Sequence, residues 1–146
     1  MVFLMFKFLS ILLILGSLLN ASEKEYASKI IKNLVEVIDK PNTSVWIDSY
    51  DTKVFGLFDL AKFNVVKSCK KAKVMILSSE KTIPKGCNTK PILVLDYELL
   101  EKHDNAVSAF FWKKGRPNIV FISDRIKHFS ISLPASYDKY IEEKIW

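Results

Sequence analysis

The sequence predicts an α/β sandwich of the Rossmann-like kind, a three-layer fold with a mixed sheet and a β-hairpin in its C-terminal half. Continuous apolar runs typical of buried strands, Lys73–Ser78 and Pro91–Leu95, alternate with segments of helical periodicity. Two further apolar runs, Ala106–Trp112 and Asn118–Ile122, flank the polar turn Lys113–Arg116, which is the pattern of a hairpin. A chain of 146 residues, 49% of them apolar, is long enough to build one domain core around these elements.

The first 21 residues have the composition of a secretory signal peptide, which leaves residues 22–146 as a single α/β domain. Lys7 is the only charge in this segment. The apolar run Phe8–Leu19 has 12 residues, fewer than the about 20 that a membrane span needs. Ala21 offers a small residue for cleavage. A cleaved signal would place the protein in the periplasm, and an uncleaved membrane anchor is the alternative.

The remaining elements follow from periodicity and capping residues. Between Glu25 and Ile38 the apolar positions recur every three or four residues, which predicts an amphipathic helix. The next elements are predicted in this order: a strand at Ser44–Asp48, a helix over Lys53–Ala61 capped by Asp51 or Thr52, a strand at Phe63–Lys67 and the two buried strands. An extension of the preceding helix is the alternative for Phe63–Lys67. A short helix at Tyr97–Lys102 capped by Asp96, the hairpin, a helical turn from Ser123 to Phe129 and a final helix at Ser136–Lys144 follow. The hairpin is expected to form the edge of the sheet.

The two cysteines are expected to form a disulfide. Cys69 precedes Val74 by five residues and Cys87 precedes Ile92 by five, so each lies at the same distance before a buried strand. Neighbouring strands lie about 4.8 Å apart, within bridging range if the two strands are parallel neighbours. Two unpaired thiols are the alternative. The spacing is not C-x-x-C, so a redox enzyme is not indicated.

Charge and composition argue against several classes of function. The chain has 22 basic and 16 acidic residues, a net charge of +6, but only Arg116 and Arg125 are arginines. Nucleic-acid readers use arginine clusters, so no nucleic-acid partner is predicted. The basic surface could instead meet an acidic partner or anionic lipid headgroups. The membrane itself is expected to be a partner only through an uncleaved signal.

No catalytic or metal-binding pattern stands out. His103 and His128 lack a zinc-type spacing with cysteines or acids, so no metal and no cofactor are predicted. A hydrolase would need an acid–base pair that the sequence does not show, so the protein is predicted not to be an enzyme. Ser78 and Ser79 follow a buried strand, and together with Asp96 they are the candidate ligand-binding residues. A plain connecting loop is the alternative for the two serines.

The hairpin turn is the candidate partner-binding site. Lys113, Lys114 and Arg116 place three positive charges in four residues, beside Trp112. Trp and Arg are enriched at interface hot spots, so the tip is a docking candidate, with a solvated turn as the alternative. An exposed hairpin edge can also pair with another strand, which would give a homodimer or an added partner strand.

The succession VMILSS, PILVLD, AVSAFFWKKGRPNIVFIS and KHFSISLP is similar to the periplasmic YfiR-like family, over about Ser28 to Pro134. Proteins of that family are small and secreted, and they restrain membrane-bound diguanylate cyclases by binding their periplasmic domains. The family usually has paired glycines before the hairpin, where this chain has Asn105-Ala106-Val107-Ser108, and it often has more cysteines. The resemblance implies a non-enzymatic regulator of a membrane partner. A small periplasmic solute-binding module of an uptake system is the alternative. The partner, any ligand and the oligomeric state stay open.

Overall fold

The computed structural model describes residues 23–48 and 52–146, which form an α/β sandwich. The element bounds are: α1 (23–38), β1 (Ser44–Ile47), α2 (Thr52–Leu57), β2 (Asn64–Val65), β3 (Val74–Leu77), β4 (Ile92–Val94), α3 (Leu99–Lys102), β5 (Ala106–Lys113), β6 (Arg116–Ile122), α4 (Ser123–His128) and β7 (Ile141–Glu142). Short 3₁₀ turns cover Leu60–Lys62, Cys69–Lys71 and Ala135–Tyr140. The predicted signal peptide and the cap residue Asp51 lie outside the described residues.

The sheet is mixed, as the sequence predicts. Within the described residues it has seven strands in the order β2-β1-β3-β4-β5-β6-β7. Every neighbouring pair is parallel except the β5–β6 hairpin. The order of the first five strands is that of a doubly wound fold, whose ligand crevices open at the carboxyl ends of the strands. That edge of the sheet is called the carboxyl edge below.

The two faces of the sheet bury separate cores, and β3 contributes to both. Val74 and Ile76 pack beneath α1, α2 and Ile126 of α4, whereas Met75 and Leu77 pack beneath α3 and the Cys69–Lys71 turn. Because successive strand side chains point to opposite faces, a strand covered on both sides must be apolar throughout. The burial of both faces of β3 explains why its sequence is a continuous apolar run.

The hairpin is confirmed, and the conformation of its turn explains why a glycine stands at position 115. Lys114 and Gly115 connect β5 to β6, with positive φ angles of 53° and 72°. A two-residue turn with both φ angles positive follows the right-handed twist of the strands. Burial falls along the hairpin, from a fully buried base at Ala106–Ala109 to an exposed tip.

The disulfide is confirmed. Cys69 and Cys87 are bonded with a Cα–Cα distance of 6.0 Å. Strands β3 and β4 are parallel neighbours, which is the condition on which the bridge was predicted. The Lys90 ammonium group donates to the carbonyls of Lys70 and Ala72 at 3.2 and 2.6 Å, which holds the two disulfide-bearing segments together a second time.

Arg125 joins α4 to the end of α3. Its Nη1 atom donates to the carbonyls of Leu100, His103 and Ala106 at 2.8, 3.0 and 2.8 Å. The last carbonyls of a helix have no partner within the helix, so a cation placed there satisfies them. One side chain therefore ends α3 and fixes the start of β5.

The predicted C-terminal helix is wrong. The segment forms the 3₁₀ turn Ala135–Tyr140 and then β7, which pairs in parallel with Phe121 and Ile122 of β6. Tyr137 packs edge-on against Phe121, with ring centroids 5.8 Å apart, and this long-range contact overrides the local helical spacing. The hairpin is consequently not the outermost part of the sheet, although β7 covers only the last two residues of β6.

Helix α2 and strand β2 are each three residues shorter than predicted. Helix α2 ends at Leu57, and the following turn starts at Asp59, whose carboxylate accepts from the Ala61 amide at 3.0 Å. The Asp59 amide in turn donates to the Ser28 hydroxyl at 2.7 Å, so α1 fixes the point where the chain leaves α2. Strand β2 keeps only two of its five predicted residues, and it forms the far edge of the sheet beside β1.

Candidate functional site

A groove of about 970 Å³ lies at the carboxyl edge of the sheet, between the hairpin and the C-terminal segment. We call it the carboxyl-edge groove. Its walls come from α1, the segment after β4, the distal halves of β5 and β6, and the residues around β7. The groove exists because β7 pairs with only the last two residues of β6, which leaves the strand open beside Pro117–Val120.

Tyr97 is the hydrogen-bonded centre of one groove wall. Its hydroxyl donates to the Glu142 carboxylate at 3.2 Å and accepts from the Trp146 amide at 3.0 Å. Its ring meets Phe111 edge-on, with centroids 5.4 Å apart. Burial raises the pKa of Tyr97, and the Glu142 carboxylate adds to this rise, so the hydroxyl keeps the proton that it donates.

Opposite charges line different walls of the groove. Asp96 and Glu98 flank Tyr97 in sequence, and Glu142 is bonded to it, so three carboxylates gather on this wall. Lys113 at the hairpin tip and Lys139 before β7 provide the positive charges. The arrangement suits an occupant that carries both signs of charge along its length.

Exposed apolar side chains are concentrated around this groove. The described residues include five large apolar side chains that are exposed: Tyr26, Leu57, Val65, Trp112 and Trp146. Trp112, which is 40% exposed, lines both the carboxyl-edge groove and a smaller neighbouring groove formed by the start of α1 and the end of α2. Tyr26 and Trp146 line the first groove, and Leu57 lines the second.

Only Val65, on β2 at the far edge of the sheet, stands apart from these grooves. A patch of this kind, apolar and rimmed by charges, is typical of an interaction site.

The structure brings the four predicted partner-binding residues together. Trp112 and Lys113 line the carboxyl-edge groove. Lys113, Lys114 and Arg116 frame a separate concavity of about 390 Å³ at the tip, together with Asn118. Within the described part of the chain, no carboxylate lies within ion-pairing distance of these three cations.

The three predicted ligand-binding residues lie in different surroundings. Asp96 lines the carboxyl-edge groove, and its carboxylate accepts from the Glu98 amide at 3.3 Å at the start of the α3 turn. Ser78 is buried at the end of β3, and the adjoining Ser79 is exposed. Neither serine is among the residues that line the groove.

An ion pair lies where a doubly wound sheet usually binds its ligand. The strand order reverses between β1 and β3, whose carboxyl ends are followed by Asp48 and Ser78. The Lys81 ammonium group pairs with the Asp48 carboxylate and lies 5.3 Å from the centroid of the Trp46 ring. This pair was not predicted from the sequence, although an acid at the last position of a predicted strand was a signal for it.

His103 is a buried polar side chain away from the groove. Its Nε2 atom has no hydrogen-bond partner among the described residues. Burial lowers the pKa of His103, while the Glu80 and Asp104 carboxylates oppose that shift. In residues 23–48 and 52–146 no group of three or more His, Cys, Asp or Glu side chains has a metal-binding arrangement.

No protein-family model and no curated protein matches this chain. The described helices include none that is long and apolar enough to cross a membrane.

The carboxyl-edge groove and its aromatic rim are therefore the best-supported candidate site. They were not visible in the sequence, because their walls come from elements far apart in the chain.

Proposed function

We propose that this protein is a non-enzymatic periplasmic protein that regulates a membrane partner by binding that partner's periplasmic domain. The observation that carries the proposal is the concentration of exposed aromatic and apolar side chains around two grooves that share Trp112. Tryptophan and tyrosine side chains at the centre of such a patch supply most of the binding energy in many protein interfaces. The charged walls of the carboxyl-edge groove would fix the orientation of the bound segment.

Two further features support the location and the role. A disulfide between buried cysteines persists in oxidising compartments, and the composition of residues 1–21 is that of an export signal. The regulatory role is the one that the YfiR-like resemblance of the sequence implies. On that likeness, the partner would be a membrane-bound diguanylate cyclase.

The test is recovery of the partner from a detergent extract of the native membrane, with the tagged protein as bait. Wild-type protein should recover a membrane protein that has a periplasmic domain, and Trp112→Ala should lose it. Val65→Ala is the matched control, because Val65 and Trp112 are both 40% exposed but lie on different strands, β2 and β5. Equal recovery by all three proteins would remove Trp112 from the interface and contradict the proposal.

A small solute-binding module is the second candidate, and one observation favours it. The volume of the groove lies within the range of small-molecule sites, and Asp96 is in its wall. A thermal-shift screen with small anions and amino acids tests this reading. A specific ligand that raises the melting temperature of wild-type protein, but not that of Asp96→Asn, would support it over the regulator.

A further inference from the structure

We propose that the hairpin tip binds the surface of an anionic phospholipid bilayer. The inference does not rest on the proposed function, because it concerns the lipid rather than a protein partner. Three cations, Lys113, Lys114 and Arg116, line one concavity at the tip, and no described carboxylate pairs with them. Such a group of unpaired cations is complementary to phosphate headgroups, since each basic residue near an anionic membrane strengthens binding about fivefold.

The aromatic neighbours favour a bilayer over a soluble anion. Trp112 directly precedes the cations in β5 and is 40% exposed. Trp146, 78% exposed, lines the carboxyl-edge groove together with Trp112 and Lys113. Tryptophan prefers the headgroup level of a membrane, where its ring is partly in the apolar region and its N–H group can meet water. Trp112 and the three tip cations have the composition of an interfacial membrane anchor, whereas Trp146 lies on the groove wall that carries the carboxylates of Asp96, Glu98 and Glu142.

The place where the chain joins the fold points to the same edge. Glu23 and Lys24, the first described residues of α1, line a groove together with Trp112. The described part of α1 thus begins near Trp112, which directly precedes the cations of the tip.

A second basic cluster provides the comparison. Lys67, Lys71 and Lys73 are exposed near the disulfide, before the amino end of β3 and thus away from the carboxyl edge. Among the described residues, no exposed aromatic side chain accompanies these three lysines. The exposed large apolar residue nearest to them along the sequence is Val65, which is aliphatic. If charge alone were sufficient, both clusters would bind lipid equally.

The experiment uses residues 22–146, which include every described helix and strand, and vesicles that contain no protein. Binding is measured by flotation with equal parts of phosphatidylglycerol and phosphatidylcholine, and with phosphatidylcholine alone. The tip variant combines Lys113→Gln, Lys114→Asn and Arg116→Gln; asparagine suits the positive φ at position 114, so the turn is kept. The control variant combines Lys67→Gln, Lys71→Gln and Lys73→Gln and removes the same charge.

The expected result is binding only to the phosphatidylglycerol vesicles, weakened roughly a hundredfold in the tip variant and less than fivefold in the control variant. Brominated acyl chains should quench tryptophan fluorescence in wild-type protein, and less so in Trp112→Phe. Equal binding to both vesicle types, or equal losses in the two variants, would overturn the proposal. Tip-dependent binding to soluble polyglutamate without vesicle binding would also overturn it, and would assign the tip to an acidic polypeptide. None of these outcomes depends on recovery of a membrane protein partner.

Discussion

Breaking the Cys69–Cys87 bridge should remove about 3 kcal/mol of stability. The two cysteines are 18 residues apart, and the chain-entropy relation gives about 3 kcal/mol for a closed loop of that length. Cys87 is fully buried and Cys69 nearly so, so the bridge lies within a packed core. For a chain of this size, such a loss lowers the urea midpoint by about 1 to 3 M.

The assay compares wild-type protein and the double variant Cys69→Ala, Cys87→Ala in urea, each with and without a reductant. Wild-type protein should lose about 3 kcal/mol on reduction. The double variant should match the reduced wild type to within about 1 kcal/mol, and it should not respond to the reductant. The urea dependence should also steepen when the bridge is absent, because the unfolded chain then exposes more surface.

Two results would refute this reasoning. One is an unchanged midpoint in reduced wild-type protein whose two thiols react fully with a labelling reagent after denaturation. The other is an equal response of the double variant to reductant, which would place the effect outside the bridge. Either result would mean that the parallel packing of β3 on β4 holds the segment without a covalent link.

Three further outcomes are expected. Arg125→Met should destabilise the fold by about 3 kcal/mol, since three carbonyls lose a hydrogen bond from a charged side chain, whereas Arg116→Met at the exposed tip should change urea stability by less than about 0.5 kcal/mol; equal effects would contradict the role of Arg125 in holding α4 to α3. Burial lowers the pKa of His103 below its usual 6.5, so the unfolded chain binds the proton more tightly. Stability should therefore be full above about pH 6.5 and should decline as the pH falls through the folded-state pKa of His103. His103→Gln should flatten this decline when urea midpoints are compared across pH values, and an unchanged decline would contradict a buried neutral imidazole. Gly115→Ala should cost about 1 kcal/mol in thermal melts because of its positive φ, whereas Lys114→Asn should gain a few tenths; reversal of the two signs would contradict the turn type.

The central sheet was predictable from local patterns. Residues 74–77 are apolar throughout because both faces are covered, and such a run has few interpretations other than a buried strand. The equal intervals from Cys69 and Cys87 to their strands also predicted a bridge on the condition that β3 and β4 are parallel neighbours, and the structure shows both. The hairpin followed from two apolar runs around a glycine turn.

The C-terminal segment was not predictable in the same way. Tyr137, Tyr140 and Ile141 have the spacing of a helix face. In the structure, however, the ring of Tyr137 packs against the ring of Phe121, and Ile141 pairs with Phe121 as a neighbour in the sheet. These contacts are made with β6, which is distant in the sequence, so the local spacing of apolar residues does not reveal them. The carboxyl-edge groove shares this origin, since it is the space that the short β7 leaves open beside β6.

The two faces of the sheet are covered by different means, and this links the fold to its chemical surroundings. One face is closed by α1, α2 and α4, which are held by packing and hydrogen bonds without a covalent cross-link. The other is closed by a single-turn helix, a 3₁₀ turn and the covalent bond between Cys69 and Cys87. The helical layer needs no oxidant in order to assemble, whereas the disulfide of the second layer forms only where an oxidant is present. In a reducing compartment the helical layer would therefore be complete, whereas the other layer would lack its cross-link. The second layer would gain that cross-link when the protein reaches an oxidising compartment.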